Sequence, residues 1–190
     1  MIHMKGVFVD CVRVGEDIKC PGDTGYSQII LFGKPTRVRK DGVVIELMGK
    51  LDELEALASW AYVETKQEAF KDIIAMATAI NTYLATGEPR WLDTVKSLVD
   101  KSCNIEPKEL GWFVPQDRAT AMLNLVRTKI REAERVAVKM LKIKKLPRNK
   151  VKNLLASLNQ ASKYVVQYIY TSNVKVYKSV NDKLNDLSKD

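Results

Sequence analysis

Two clusters in the sequence have residue types suited to holding an anion. The first is PGDTGYSQ, residues 21–28, where Gly22 and Gly25 flank Asp23 and Thr24 and Ser27 follows. Glycines at that spacing allow a turn whose backbone N–H groups converge, the arrangement that wraps phosphate. The same letters also make an ordinary β-turn. The second is VRTKIREAERVAVKML, residues 126–141, where Arg127, Arg131 and Arg135 recur every four residues. A guanidinium is a planar fork that donates paired hydrogen bonds to phosphate or carboxylate and keeps its charge when water is removed. Glu132 and Glu134 offer i,i+3 partners to Arg135 and Arg131. The row therefore reads either as a solvated, self-paired helix face or as one side of an interface.

The rest of the composition narrows the chemistry. His3 is the only histidine, which removes histidine-centred triads, HExxH zinc sites and multi-histidine metal centres. Cys11, Cys20 and Cys103 are odd in number, far apart and without CxxC spacing, so free thiols are expected rather than a disulfide framework or zinc ribbon. A net charge of +8, from 31 Lys and Arg against 23 Asp and Glu, favours an anionic partner. The densest basic run, KMLKIKKLPRNKVK at 139–152, reads as a solvated connection between helices. Helix-turn-helix, RNP and zinc signatures are all missing, so nucleic acid is not the expected partner. No apolar run approaches the roughly 20 residues that span a bilayer, and the start has no secretory pattern, so a cytoplasmic protein without a membrane partner is expected.

The elements that would position these clusters follow from periodicity. With 46% hydrophobic residues in a chain of 190, one domain with a sizeable core is expected. Residues 1–50 read as an irregular arm, with β-prone pieces at Val7–Val9 and Ile29–Phe32 between turns. VFVDCVRV, residues 7–14, alternates enough for an edge strand. From residue 51 the period is helical, predicting helices near 51–65, 67–85, 91–104, 116–145 and 150–171. Gly87, Pro89, Pro107, Gly111, Pro115 and Pro147 mark their boundaries. The fold class is therefore all-α, an up-and-down bundle of about five helices over 51–173, with a polar tail at 174–190 that adds a short exposed helix or frays. In the fourth helix Leu123, Val126, Ile130, Ala133, Ala137 and Met140 form a 3,4,3,4,3 seam. At 100° per residue this seam turns the arginines progressively outward.

The order of motifs points further than any one of them. GDTGYS at 22–27, RVRKD at 37–41, IELMGKLDEL at 45–54, WFVP at 112–115, RTKIREAER at 127–135 and LNQAS at 158–162 follow one another. This series resembles the ATP:cob(I)alamin adenosyltransferases of the propanediol-utilisation type, with their GDxGxT or GDxGFS, RVxKDD, VEAxGxVDEL, FILPGG, RTxxRRAER and LNRLSDYLF. The resemblance covers about residues 19–173 and implies a ferritin-like bundle, a homotrimer and active sites between subunits. It implies ATP, Mg2+ and a reduced corrinoid as ligands, with cobalt attacking the ribose C5′ and triphosphate leaving. Because the metal of the corrinoid is itself the nucleophile, no histidine base is required.

Carried onto this chain, the resemblance gives Lys19, Gly22, Asp23, Gly25 and Ser27 to the phosphate loop and makes Lys40 a point cation on it. It implies Glu46, Glu134 and Asn159 as nucleotide contacts, Asp52 as a partner of Arg127 or Arg131 across the interface, and Trp112 under the corrin. Asp52 and Glu53 also suit a helix N-terminus, Asn159 an exposed helix position, and Trp112 with Phe113 a loop anchor. Departures fall inside the motifs: Lys19 for threonine, Glu132 for the second arginine of RRAER, Gln116 and Asp117 for paired glycines, Gln160 and Lys163 for the arginine and aspartate of NRLSD. Charge-assisted hydrogen bonds contribute roughly 1.5–3 kcal/mol, so each charge change beside ATP is expected to alter affinity by about one to a few kcal/mol.

Overall fold

A computed structural model describes residues 12–102 and 111–188. Two short hairpins come first: β1 (Val12–Val14) with β2 (Asp17–Lys19), then β3 (Tyr26–Leu31) with β4 (Lys34–Arg39). A single 3₁₀ turn, Pro21–Thr24, lies between them. The helices follow as α1 (Val43–Thr65), α2 (Glu68–Thr86), α3 (Arg90–Ser102), α4 (Arg118–Met140) and α5 (Arg148–Thr171), then a short α6 (Val180–Leu187). The all-α bundle is as expected. Val7–Val9 and residues 103–104 lie outside the described residues, while the end of the alternating segment forms β1.

The core is made where the helical stripes meet. α4 packs on α1 and α5, α2 on α1 and α3, and α3 on α5. All six residues of the α4 seam are fully buried. Tyr164 of α5, 1% exposed, ties to α2 through a short hydrogen bond from its hydroxyl to Asp72 Oδ2. Burial first, and then that carboxylate, push the Tyr164 phenol far above its ordinary pKa.

Three expectations are corrected. α1 begins at Val43, so residues 43–50 are helix and not arm. The buried positions Val44, Leu47, Leu51, Leu54, Ala58 and Ala61 form a second 3,4,3,4,3 stripe that runs straight through residue 50. The β-branched Val43, Val44 and Ile45 hide that start. α4 stops at Met140, five residues before the expected end, as the chain turns through 141–146 into α5. Cys20 is disulfide-bonded, not a free thiol; an odd count still allows one pair, and spacing along the chain does not report distance in space.

The tail holds more than the expected short helix. β6 (Val174–Tyr177) pairs antiparallel with β5 (Trp112–Pro115), in the register Trp112↔Tyr177 to Pro115↔Val174. α6 is fastened to β6 by Lys175 and Asp186, 2.7 Å apart. This sheet holds the WFVP segment against the top of α4 and α5.

Candidate active site

The glycine turn is built from its own backbone. Asp23 Oδ2 accepts the Cys20 N–H at 2.7 Å, and the Asp23 N–H donates to the Cys20 carbonyl at 2.9 Å. Asp23 therefore shapes the loop. Gly25 has φ +74, the left-handed region that favours glycine. Its carbonyl accepts the Lys40 N–H at 2.9 Å. A Cβ on Gly22 would stand 2.9 Å from Lys40 Nζ. The structure thus brings Gly22, Gly25 and Lys40 together, with half-buried Ser27 following on β3. Lys19 ends β2 just before this turn.

Two arginines of α4 face a groove of about 540 Å³ between α4 and α5, lined by Arg127, Arg131, Asn159, Ser162, Lys163 and Gln167, with Val166. Arg127 Nε donates to Asn124 Oδ1 at 3.1 Å, one helical turn back. Arg131 Nη1 lies 3.0 Å from Glu134 Oε2, an ion-pair distance without hydrogen-bond alignment, so this buried carboxylate oxygen is left without a hydrogen bond. Arg135 is exposed and does not line the groove.

A second hollow of about 340 Å³ adjoins it, lined by Gly111, Trp112, Phe113, Asn124, Arg127 and Lys183. Trp112 is 55% exposed there. Phe113, by contrast, packs edge-on against Tyr170 at 5.4 Å and lies 5.9 Å under the Arg127 guanidinium. Arg127 is common to both hollows. Lys183 escaped the sequence reading, because only the β5–β6 pairing brings the tail here, and Phe113 entered it only as a loop anchor beside Trp112. Asn124 escaped it too, although a position three residues before Arg127 on one helix is a signal for such a partner.

Other expected site residues lie elsewhere in the chain. Glu46, in the first turn of α1, pairs with Lys139 near the end of α4 at 3.0 Å. Asp52 accepts from Asn81 of α2 at 3.3 Å, so within one chain it meets neither arginine.

Glu132 does not enter the groove. It joins Lys50, Glu53 and Lys129 in an α1–α4 network, 3.1 Å from Lys50 and 3.5 Å from Lys129. Lys129 donates to Glu53 at 2.6 Å and Lys50 to Glu53 at 2.9 Å. The hydrogen bond from Lys129 is the main cause that lowers the Glu53 pKa, and that from Lys50 the main cause at Glu132. The charge reversal at 132 is therefore a bundle contact and not a change beside the arginines. Asp117 is likewise structural, capping α4 by accepting the Thr120 N–H at 2.7 Å. Gln116 donates its side-chain amide to the Val114 and Pro115 carbonyls.

Among the described residues no three His, Cys, Asp or Glu side chains gather as a metal site.

The site is thus a cation-lined groove between two helices of a bundle, adjoining a hollow walled by Trp112 and Phe113. The model of the cobalamin adenosyltransferase family matches residues 18–170, and the chain belongs to that family. Among solved structures it superposes on a phenylalanine-to-alanine variant of the PduO-type ATP:corrinoid adenosyltransferase from Lactobacillus reuteri complexed with cobalamin and ATP. The TM-score is 0.61 at 17% identity, covering 84% of this chain and 97% of that one. An arginine-to-lysine variant of the same protein complexed with ATP gives 0.58 at 18% identity, over 83% and 98%. These likenesses establish the fold. No curated protein sequence matches the chain.

Proposed function

We propose that the protein transfers the 5′-deoxyadenosyl group of ATP to the reduced cobalt of cobalamin, releasing triphosphate. The observation that carries this reading is the double position of Arg127, which walls both the cationic groove and the Trp112 hollow. Two substrates placed there would meet at that side chain. In the transfer the cobalt electron pair forms the bond to C5′, the C5′–O bond breaks, and the electrons leave on triphosphate. No side chain has to take a proton.

The protein's tasks are then positioning and charge. Arg131 and Arg127 hold phosphate oxygens in fixed forks, and Asn159 orients the nucleotide from α5. Glu134, with Oε2 3.0 Å from Arg131 Nη1, would hold that guanidinium in place beside the nucleotide and its Mg2+. Trp112 offers an exposed ring to the corrin, displacing its lower axial ligand.

The active unit in this reading is a cytoplasmic homotrimer. The glycine turn with Lys40, and Asp52 on the α1–α2 face, are not joined to the groove within one chain, so a neighbour supplies them. Trp60 and Val63 of α1, 51% and 61% exposed, give that face the apolar surface an interface needs.

The test is anaerobic incubation with ATP, Mg2+ and chemically reduced cobalamin, following light-sensitive adenosylcobalamin by absorbance. Product from the native protein, cut sharply in Arg131→Ala, is expected. No product at any pH tried would defeat the proposal, and sedimentation that finds only monomer would defeat the trimer.

A further inference from the structure

The groove between α4 and α5 contains a third cation that its two arginines do not explain. Lys163 lines it beside Arg127 and Arg131, one turn after Asn159 on the same face of α5, and no carboxylate is in the lining. Arg127 is engaged by Asn124 and Arg131 by Glu134. Lys163 has neither ion pair nor hydrogen bond among the described residues. An unpaired lysine on an outward helix face is ordinarily just solvated. This one shares a concave surface with two guanidinium groups, where like charges repel until an anion arrives.

We propose that Lys163 is a polyphosphate-binding residue of this chain, a point cation that grips the phosphates of ATP and, more tightly, the triphosphate released from it. The inference rests on reading the groove as the ATP site. Its chemistry is specific to a mobile ammonium: three donors on a flexible stem can follow a phosphate chain, whereas the arginine forks hold fixed oxygens. Triphosphate presents more charge than ATP's esterified chain, so the added cation favours product over substrate. The protein should therefore be inhibited by the triphosphate it makes.

The experiment is isothermal titration of the full-length protein with Mg-ATP and, separately, with inorganic tripolyphosphate, for the native chain, Lys163→Ala, Lys163→Arg and Arg131→Ala. Thermal unfolding of each variant checks that it is folded. Lys163→Ala is expected to weaken tripolyphosphate about tenfold and ATP by less, with Lys163→Arg recovering most of the loss. In turnover the same variant should raise the KM for ATP and the inhibition constant for tripolyphosphate together. If Arg131→Ala weakens both ligands while Lys163→Ala leaves both unchanged, Lys163 is a solvated lysine and the inference is overturned with the groove reading intact. If neither variant changes either affinity, ATP binds elsewhere, and the inference falls together with that reading.

Discussion

Arg127 stands in both hollows, and this separates it from Arg131, which lines the groove alone. Arg127→Ala should therefore raise the KM for ATP and for cobalamin, each about tenfold or more, since a charge-assisted contact contributes roughly 1.5–3 kcal/mol. Arg131→Ala should raise that for ATP only. Steady-state kinetics with each substrate varied in turn separates the two, and an ATP-only effect at Arg127 would remove it from the corrin side. Gly25 has a different constraint, because space is open around it but its φ of +74 is not. Gly25→Ala should cost about 1–2 kcal/mol of loop stability and weaken ATP binding, while Gly25→Asn, which tolerates the left-handed region better, should recover part of it. Equal losses for both would mean that the backbone angle is not what the loop requires. At this scale Arg127, Arg131 and Asn159 were legible because motif order and helical spacing put them on facing turns. Lys163 was legible in the same way, as a motif position that gains a cation, but the surroundings of Glu132 were not: a helical wheel gives an angle, and only the packed neighbours decide whether that angle meets Lys50 or an open groove.

The α1–α4 contact illustrates what happens between elements. Glu53 and Glu132 share Lys50 and Lys129, and the hydrogen bonds from those lysines depress both carboxylates below their ordinary value of 4.5. A depressed carboxylate stabilises the fold fully above its unfolded pKa and loses that contribution as pH falls through the lower folded value. Thermal unfolding should therefore show the native protein losing stability below about pH 4.5, where such glutamates begin to protonate. Glu132→Gln should start lower at neutral pH and converge on the native curve in acid. Curves that stay parallel through that range would show that the network adds nothing to stability. The α4 seam was read correctly because its flanks are good helix formers. The equally regular α1 stripe was cut at residue 50 because Val43, Val44 and Ile45 favour strands locally, a preference that burial of Val44 and Leu47 overrides. The β5–β6 sheet could not be read at all, since four-residue strands far apart in the chain leave no periodic signal.

Over the whole molecule, the groove belongs to α4 and α5, whereas the glycine turn with Lys40 belongs to the arm. If the catalytic unit is a closed ring of three copies, each site takes its turn from one copy and its groove from the next, in a head-to-tail interface. Two defects that each abolish activity should then complement when they are on different chains. Lys40→Ala spoils only the turn it carries and Arg131→Ala only the groove, so a mixed trimer holds some interfaces with an intact turn facing an intact groove. With equal, random mixing about one interface in four has that composition, since each half is drawn independently with a chance of one half. Every purified trimer that carries both variants has one such interface among its three, so co-expression, purification of those trimers and measurement of adenosylcobalamin formation should recover roughly a third of native activity. A single chain carrying both substitutions, mixed with native chains, serves as the control with no gain beyond dilution. Mixed trimers that remain as inactive as the separate variants would show that turn and groove act within one copy. The isolated position of Asp52 beside Asn81 would then be its final one, with no arginine across an interface to meet it.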